Sequence, residues 1–70
     1  MSYVYIQSET AAQTGDYPLF TVGFYHPQDG EWMAESDHGG SDGIAQAAYR
    51  CHILNGGSMT FAQFDQEFIR

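Results

Sequence analysis

The stretch from Leu19 to Ser36 constrains this chain more than any other. Leu19-Phe20-Thr21-Val22-Gly23-Phe24-Tyr25-His26 is β-branched and aromatic, as strands are. Alternation puts Phe20, Val22 and Phe24 on one side and Leu19, Thr21, Gly23 and Tyr25 on the other. Pro27-Gln28-Asp29-Gly30 then makes a turn, with proline fixing an early φ and glycine supplying a positive φ at the end. A returning strand over 31–36 turns Trp32 and Ala34 one way and Glu31, Met33 and Glu35 the other. Such a hairpin commits the chain to an antiparallel sheet, and an apolar sheet face needs a second layer to cover it.

The flanks supply both. Residues 3–8 (Tyr-Val-Tyr-Ile-Gln-Ser) read as another strand, with Val4 and Ile6 on one face and Tyr3, Tyr5 and Gln7 on the other. Residues 9–17 read as a polar loop, ending at Pro18, which suits the start of a strand. After the hairpin, Asp37-His38-Gly39-Gly40 breaks the sheet. Ser41 is placed as an N-cap and Asp42 in the first turn of a helix over 42–54. Ile44, Ala47, Ala48, Cys51 and Leu54 recur there at helical spacing, and Asn55-Gly56-Gly57 is a C-cap signature. Thr60 and Gln63 fit a capping box, with Met59 and Phe64 as its hydrophobic staple. They open a short helix over 61–69 that lines Phe61, Phe64 and Phe68 on one face. The fold class is therefore α+β in the order β-β-β-α-α: a three-stranded antiparallel sheet packed by one main helix, plus a short C-terminal helix, in one domain over 1–70.

Composition excludes several functions. Nine Asp or Glu stand against two arginines, Arg50 and Arg70, for a formal charge of −7. Nucleic-acid affinity comes largely from Lys and Arg neutralising phosphates, so direct DNA or RNA binding is not expected. Anionic membrane is repelled in the same way, and no apolar run approaches the roughly 20 residues that span a bilayer. The first residues, Met1-Ser2-Tyr3-Val4-Tyr5, show no basic region ahead of an apolar one. The single cysteine, Cys51, excludes an internal disulfide and fits a reducing compartment. A complete, cytoplasmic chain is the expectation.

Little in the sequence carries chemistry. His26, Asp37, His38, Cys51 and His52 are possible metal ligands, but no pair has the spacing of a known zinc site. Cys51 and His52 are adjacent on a helix and point about 100° apart. His26 and His38 flank the hairpin and are the pair from which a small metal- or ligand-binding module would be built. Cys51 falls on the buried helix face, where a thiol behaves as a small apolar group. The glycine-rich run from His38 to Gly43 lacks the P-loop lysine. No enzymatic activity, catalytic residue or cofactor is expected.

Surfaces say more. Tyr49 and Ile53 point nearly opposite to Ile44, Ala48 and Cys51 on the helical wheel, where a small monomer should be polar. Either the Phe-rich C-terminal helix covers them or a partner does, a second copy or a foreign protein. The second face of the sheet poses the same question. It carries Tyr3, Tyr5, Tyr25 and Met33, or Phe20, Phe24 and Trp32 with the faces reversed, and such residues are enriched in interface cores. Glu31, Glu35 and Asp37 would add an acidic rim that speeds association with a basic partner.

Four segments together resemble a family of short bacterial and phage-borne proteins: Tyr3-Val4-Tyr5-Ile6-Gln7-Ser8-Glu9, Leu19-Phe20-Thr21-Val22-Gly23-Phe24-Tyr25, Trp32 with Glu35-Ser36-Asp37-His38, and Leu54-Asn55-Gly56-Gly57. The resemblance covers residues 3–57, with the Phe-rich tail as an extension. No activity is established for that family, so it carries over no catalytic or binding residue. The strand-strand-strand-helix order is also similar to the arm-binding domains of phage integrases, whose basic residues are absent here. The resemblance implies a phage or mobile-element context. The expectation is a small acidic, non-enzymatic protein-interaction protein in a bacterial cytoplasm, such as an anti-CRISPR-like inhibitor, with a protein partner of basic surface or a homodimer.

Overall fold

The structure, a computed structural model, describes residues 2–68. In chain order it contains β1 (Val4–Glu9), a helical turn α1 (Ala11–Thr14), β2 (Leu19–Tyr25), β3 (Trp32–His38), α2 (Gly43–Leu54) and α3 (Phe61–Phe68). The three strands form one antiparallel sheet with β2 in the centre, α2 is the main helix and α3 is short, as the sequence pattern implied. In the hairpin turn Gly30 takes φ +73°, and its N–H donates to the His26 carbonyl at 2.8 Å. Position 69 of the expected 61–69 helix and the side chain of Phe68 lie outside the described residues.

The core is built from small residues on the helix and large ones on the sheet. Ala47 and Cys51 of α2 are buried against Phe20 and Val22, Ala45 and Ala48 are buried beside them in sequence, and Val22 is 0% exposed. Helix side chains that short leave room for rings, and Tyr3 and Tyr5 take it. Tyr3 packs edge-on against Phe24 with centroids 5.4 Å apart, and Tyr5 against Phe20 at 6.3 Å. The two tyrosines placed as candidates for the outer face thus belong to the helix-covered face. Register decides this: Tyr5 pairs with Val22 and Ile6 with Thr21, and directly opposed residues point the same way. Val4 and Ile6 are left on the open face, 41% and 36% exposed.

Each edge strand carries one extra residue. Ser8 is inserted between the partners of Phe20 and Leu19, and Glu35 between the partners of Val22 and Gly23. β3 also continues past Ser36: Asp37 pairs with Thr21 and His38 with Phe20, so the expected break at Asp37 begins two residues later. The reason is local. The Thr21 hydroxyl lies 2.7 Å from Asp37 Oδ1 and 2.8 Å from Ser8 Oγ, so Thr21, 6% exposed, ties both edge strands to the centre.

The helix ends follow from their sequences, with two corrections. Helix α2 begins at Gly43 with Asp42, not Ser41, at the N-cap, and no side chain caps it. Gly43, not Ile44, is what the first turn presents to the sheet: a Cβ there would sit 2.9 Å from the His38 carbonyl oxygen, and Ile44 is exposed. At the other end Gly56 takes φ +93°, its N–H donates to the Ile53 carbonyl at 3.0 Å, and the Gly57 N–H donates to that of His52 at 2.7 Å. That pair of bonds is a Schellman cap. Thr60 and Gln63 form the expected capping box, through Thr60 N–H to Gln63 Oε1 at 3.0 Å and Gln63 N–H to Thr60 Oγ1 at 3.3 Å. Thr10 and Gln13 form the same box and nucleate α1 inside the segment read as a loop.

Candidate functional site

Two surfaces remain once the core is closed. The first is the outer side of α2. Tyr49 lies edge-on to Phe61 at 5.2 Å and to Phe64 at 5.6 Å, and its hydroxyl donates to the Met59 carbonyl at 2.9 Å. The C-terminal helix therefore covers Tyr49. It does not fully cover Ile53, which is 37% exposed and lines a cleft of about 360 Å³ with His38, Gln46, Tyr49, Arg50 and Phe61. Gln46, Tyr49, Arg50 and Ile53 follow one another at i, i+3, i+4 and i+7, the spacing of a single helix face.

His52, weighed from the sequence only as a possible metal ligand beside Cys51, has a different role in the fold. Its Nε2 accepts the Met59 N–H at 3.2 Å, and its ring lies 5.0 Å from that of Phe64 and 6.1 Å from that of Tyr49. A signal was present. A Schellman cap needs one glycine at positive φ, yet two follow Asn55. Gly56 meets the backbone requirement, while a Cβ on Gly57 would overlap the His52 ring.

On the side of α2 facing β3, Arg50 reaches Glu35. Its Nε donates to both carboxylate oxygens at 3.2 Å, and its Nη2 donates to Oε2. Those bonds are the main cause of the Glu35 carboxyl's fall from the ordinary 4.5 to about 2. The bulge places Glu35 there by giving β3 an extra residue at this point. Burial pushes the Cys51 thiol up, the opposite of what an activated nucleophile requires.

The second surface is the open face of the sheet. The fold spans 35 × 33 × 16 Å, and its short dimension holds one sheet and one helical layer, about 10 Å apart. Val4, Ile6 and Tyr25 stand exposed on the uncovered side, Tyr25 at 56%, with its ring 5.0 Å from that of half-buried Trp32. Trp32 lies across Gly23, where a Cβ would come within 2.9 Å of the indole.

The candidate partner-binding residues therefore separate. Tyr25 is on the open face, Tyr3 and Tyr5 are in the core layer, Tyr49 is under α3 and Ile53 borders the cleft. Met33 is exposed but pairs with Phe24, on the helix side of the sheet. Of the acids, Glu35 binds Arg50, Asp37 accepts from Thr21 on the open face, and Glu31 in the hairpin turn accepts the His26 N–H at its carbonyl.

The two histidines proposed as a ligand pair do not meet. His38 pairs beside Phe20 at one end of the hairpin and His26 follows Tyr25 at the other, roughly 20 Å away at about 3.4 Å per residue. His26 lies 3.5 Å from Asp29, and the His38 Nε2 lies 2.9 Å from the Ser36 hydroxyl. Among the described residues no group of three His, Cys, Asp or Glu could hold a metal ion, and no helix is long and apolar enough to cross a membrane. No protein family, curated protein or solved structure matches this chain.

Proposed function

We propose that the chain is a non-enzymatic protein-interaction protein whose binding surface is the open face of the sheet. The observation that carries this reading is the two-layer construction, which leaves Val4, Ile6 and Tyr25 in solvent beside Trp32. Exposed apolar patches rimmed by polar groups mark interaction sites, and aromatic residues are enriched at interface centres.

The occupant is a protein with a basic surface. Three strands about 4.8 Å apart and seven residues of about 3.4 Å offer roughly 340 Å², against about 800 Å² per partner in a standard interface. The contact must therefore extend onto the rim. That rim is acidic, with Glu9 at the end of β1, Asp29 and Glu31 in the hairpin turn, and Asp37 on the face itself. A second copy would set −7 against −7, which opposes a homodimer through this face. In the phage or mobile-element context that the residue pattern resembles, the partner is a host protein whose basic surface serves nucleic acid, as for an anti-CRISPR-like inhibitor.

A photo-crosslinking residue at position 25, in cells that produce the chain, tests the surface. The expected result is one discrete adduct, weakened by high salt and lost with Ile6→Asp. An adduct that survives Ile6→Asp, or one formed only from position 46, overturns it. The inhibitor version predicts that phage plaquing on cells with an active, targeting CRISPR system rises with the wild-type chain and not with Ile6→Asp. No rise removes that version.

A further inference from the structure

We propose that α3 is a cover over the outer side of α2, held shut by a latch that a proton opens. This goes beyond the sheet-face reading, since it concerns the opposite surface. The latch is the backbone of Met59, gripped at both ends by side chains of α2: Tyr49 donates to its carbonyl, and its N–H donates to His52 Nε2.

The second bond exists only while Nε2 carries no proton, which puts the single ring proton on Nδ1. On protonation both ring nitrogens become donors, and an N–H of His52 faces the N–H of Met59. The ring cannot turn aside cheaply. Gly57 is packed against one side so closely that a Cβ there would overlap it, and the ring of Phe64 lies 5.0 Å away, tilted by 35°.

The groups around His52 are these. From α2 itself comes the Tyr49 ring; from the connecting segment, the backbones of Gly57 and Met59; from α3, the ring of Phe64. The α3 carboxylates, Asp65 and Glu67, make no ion pair with His52 among the described residues. Histidines take up their proton between about pH 8 and pH 5. Acidification over that range therefore releases the segment from Met59 onward, baring Tyr49 and removing the Phe61 wall of the cleft. The sheet and the core, on the other side of α2, stay closed.

Nuclear magnetic resonance on the intact chain, from about pH 7.5 to about pH 5, tests this without any partner. The His52 ring-proton shifts follow protonation, and the Tyr49–Phe64 contacts together with the Met59 amide follow the cover. The expected result is that the open-to-closed ratio rises about tenfold as His52 titrates, the effect of losing one hydrogen bond. The Tyr5–Phe20 contacts should not change. His52→Gln offers an uncharged acceptor at every pH, so its cover should stay closed throughout, while His26→Gln and His38→Gln should respond as wild type does. Three results overturn the latch: an open-to-closed ratio that does not change through a completed His52 titration, a His52 that does not titrate in this range, or the same rise in that ratio at the same pH in wild type and His52→Gln. The wild-type titration decides the matter if the variant does not fold. Because no binding is measured, its failure leaves the sheet-face reading untouched, and failure of the crosslinking leaves the latch untouched.

Discussion

The last two turns of α2 grip the chain on both sides. Toward β1, the Asn55 side chain accepts the Tyr3 N–H at 2.8 Å and donates to the Tyr3 carbonyl at 3.0 Å. Toward α3, Tyr49 and His52 share the same task at Met59. In each case a backbone donor and acceptor with no ladder partner are satisfied by helix side chains. The chemistry differs. One amide is donor and acceptor at once and does not titrate, so Asn55 stands in for a missing strand at the sheet edge. The other grip divides the roles, and its acceptor is an imidazole. The attachments differ too. Tyr3 leads into a strand already paired with β2 and packed in the core, whereas α3 shares no sheet and rests on α2 through rings. The first grip reinforces a permanent contact; the second holds a removable one.

The largest effect that separates the two ends comes from truncation. Removing residues 1–9 deletes β1 with Tyr3 and Tyr5, and the expected outcome is loss of the fold, seen as collapsed amide dispersion. Removing residues 58–70 should leave the sheet and α2 folded at neutral pH by circular dichroism and amide dispersion. Equal loss in both would mean that the ends are not different in kind.

Next is Asn55→Ala, which leaves two backbone groups of Tyr3 unpaired and should lower global stability by about 2 kcal/mol in urea denaturation. The loss should be the same at neutral and mildly acidic pH. A pH-dependent loss would place the titrating contact on the wrong side of α2. Gly57→Ala is expected to cost a similar amount, about 1–3 kcal/mol in global stability, because the packed His52 ring must give way to the new Cβ and loses one hydrogen bond. It should also shift the Met59 amide at neutral pH, as acid does in wild type.

The smallest effect belongs to Arg50 and Glu35, a partly exposed pair between the two grips. The folded Glu35 carboxyl titrates at about 2, below its ordinary 4.5. A depressed folded value means that its contribution is complete above the ordinary value and disappears as pH falls from about 4.5 through about 2. The melting-temperature difference between wild type and Arg50→Ala should therefore be constant from neutral pH to about 5 and close toward pH 2. A difference that persists at pH 2 would assign Arg50 a packing role.

Local chemistry was legible residue by residue. The hairpin turn, the Asn55-Gly56-Gly57 cap and the Thr60–Gln63 box each rest on contacts within a few positions, and each formed where the spacing placed it. Thr10–Gln13 carries the same spacing, but with one turn and no apolar stripe it was hidden in a polar loop. Alternation within each strand was also readable. What it could not supply was how one strand's faces match the next, because an inserted residue such as Ser8 or Glu35 leaves no mark on the pattern. Hence the inversion in β1, where the tyrosines face the core and Val4 and Ile6 face solvent. Hydropathy argues the other way; the rings won because the alanines of α2 left space that only large side chains fill.

The sequence by itself determined the three strands and the two longer helices, the antiparallel hairpin, the cap after Leu54, the Thr60–Gln63 box and the net charge of −7, since all of these depend on neighbours in the chain or on a sum over it. Only the tertiary structure decided which sheet face lies open, that His26 and His38 sit at opposite ends of the hairpin, that α3 covers Tyr49, and that His52 accepts from Met59. Each of these depends on register or docking between segments distant in sequence, where displacing a strand or helix by one residue redirects every side chain on it.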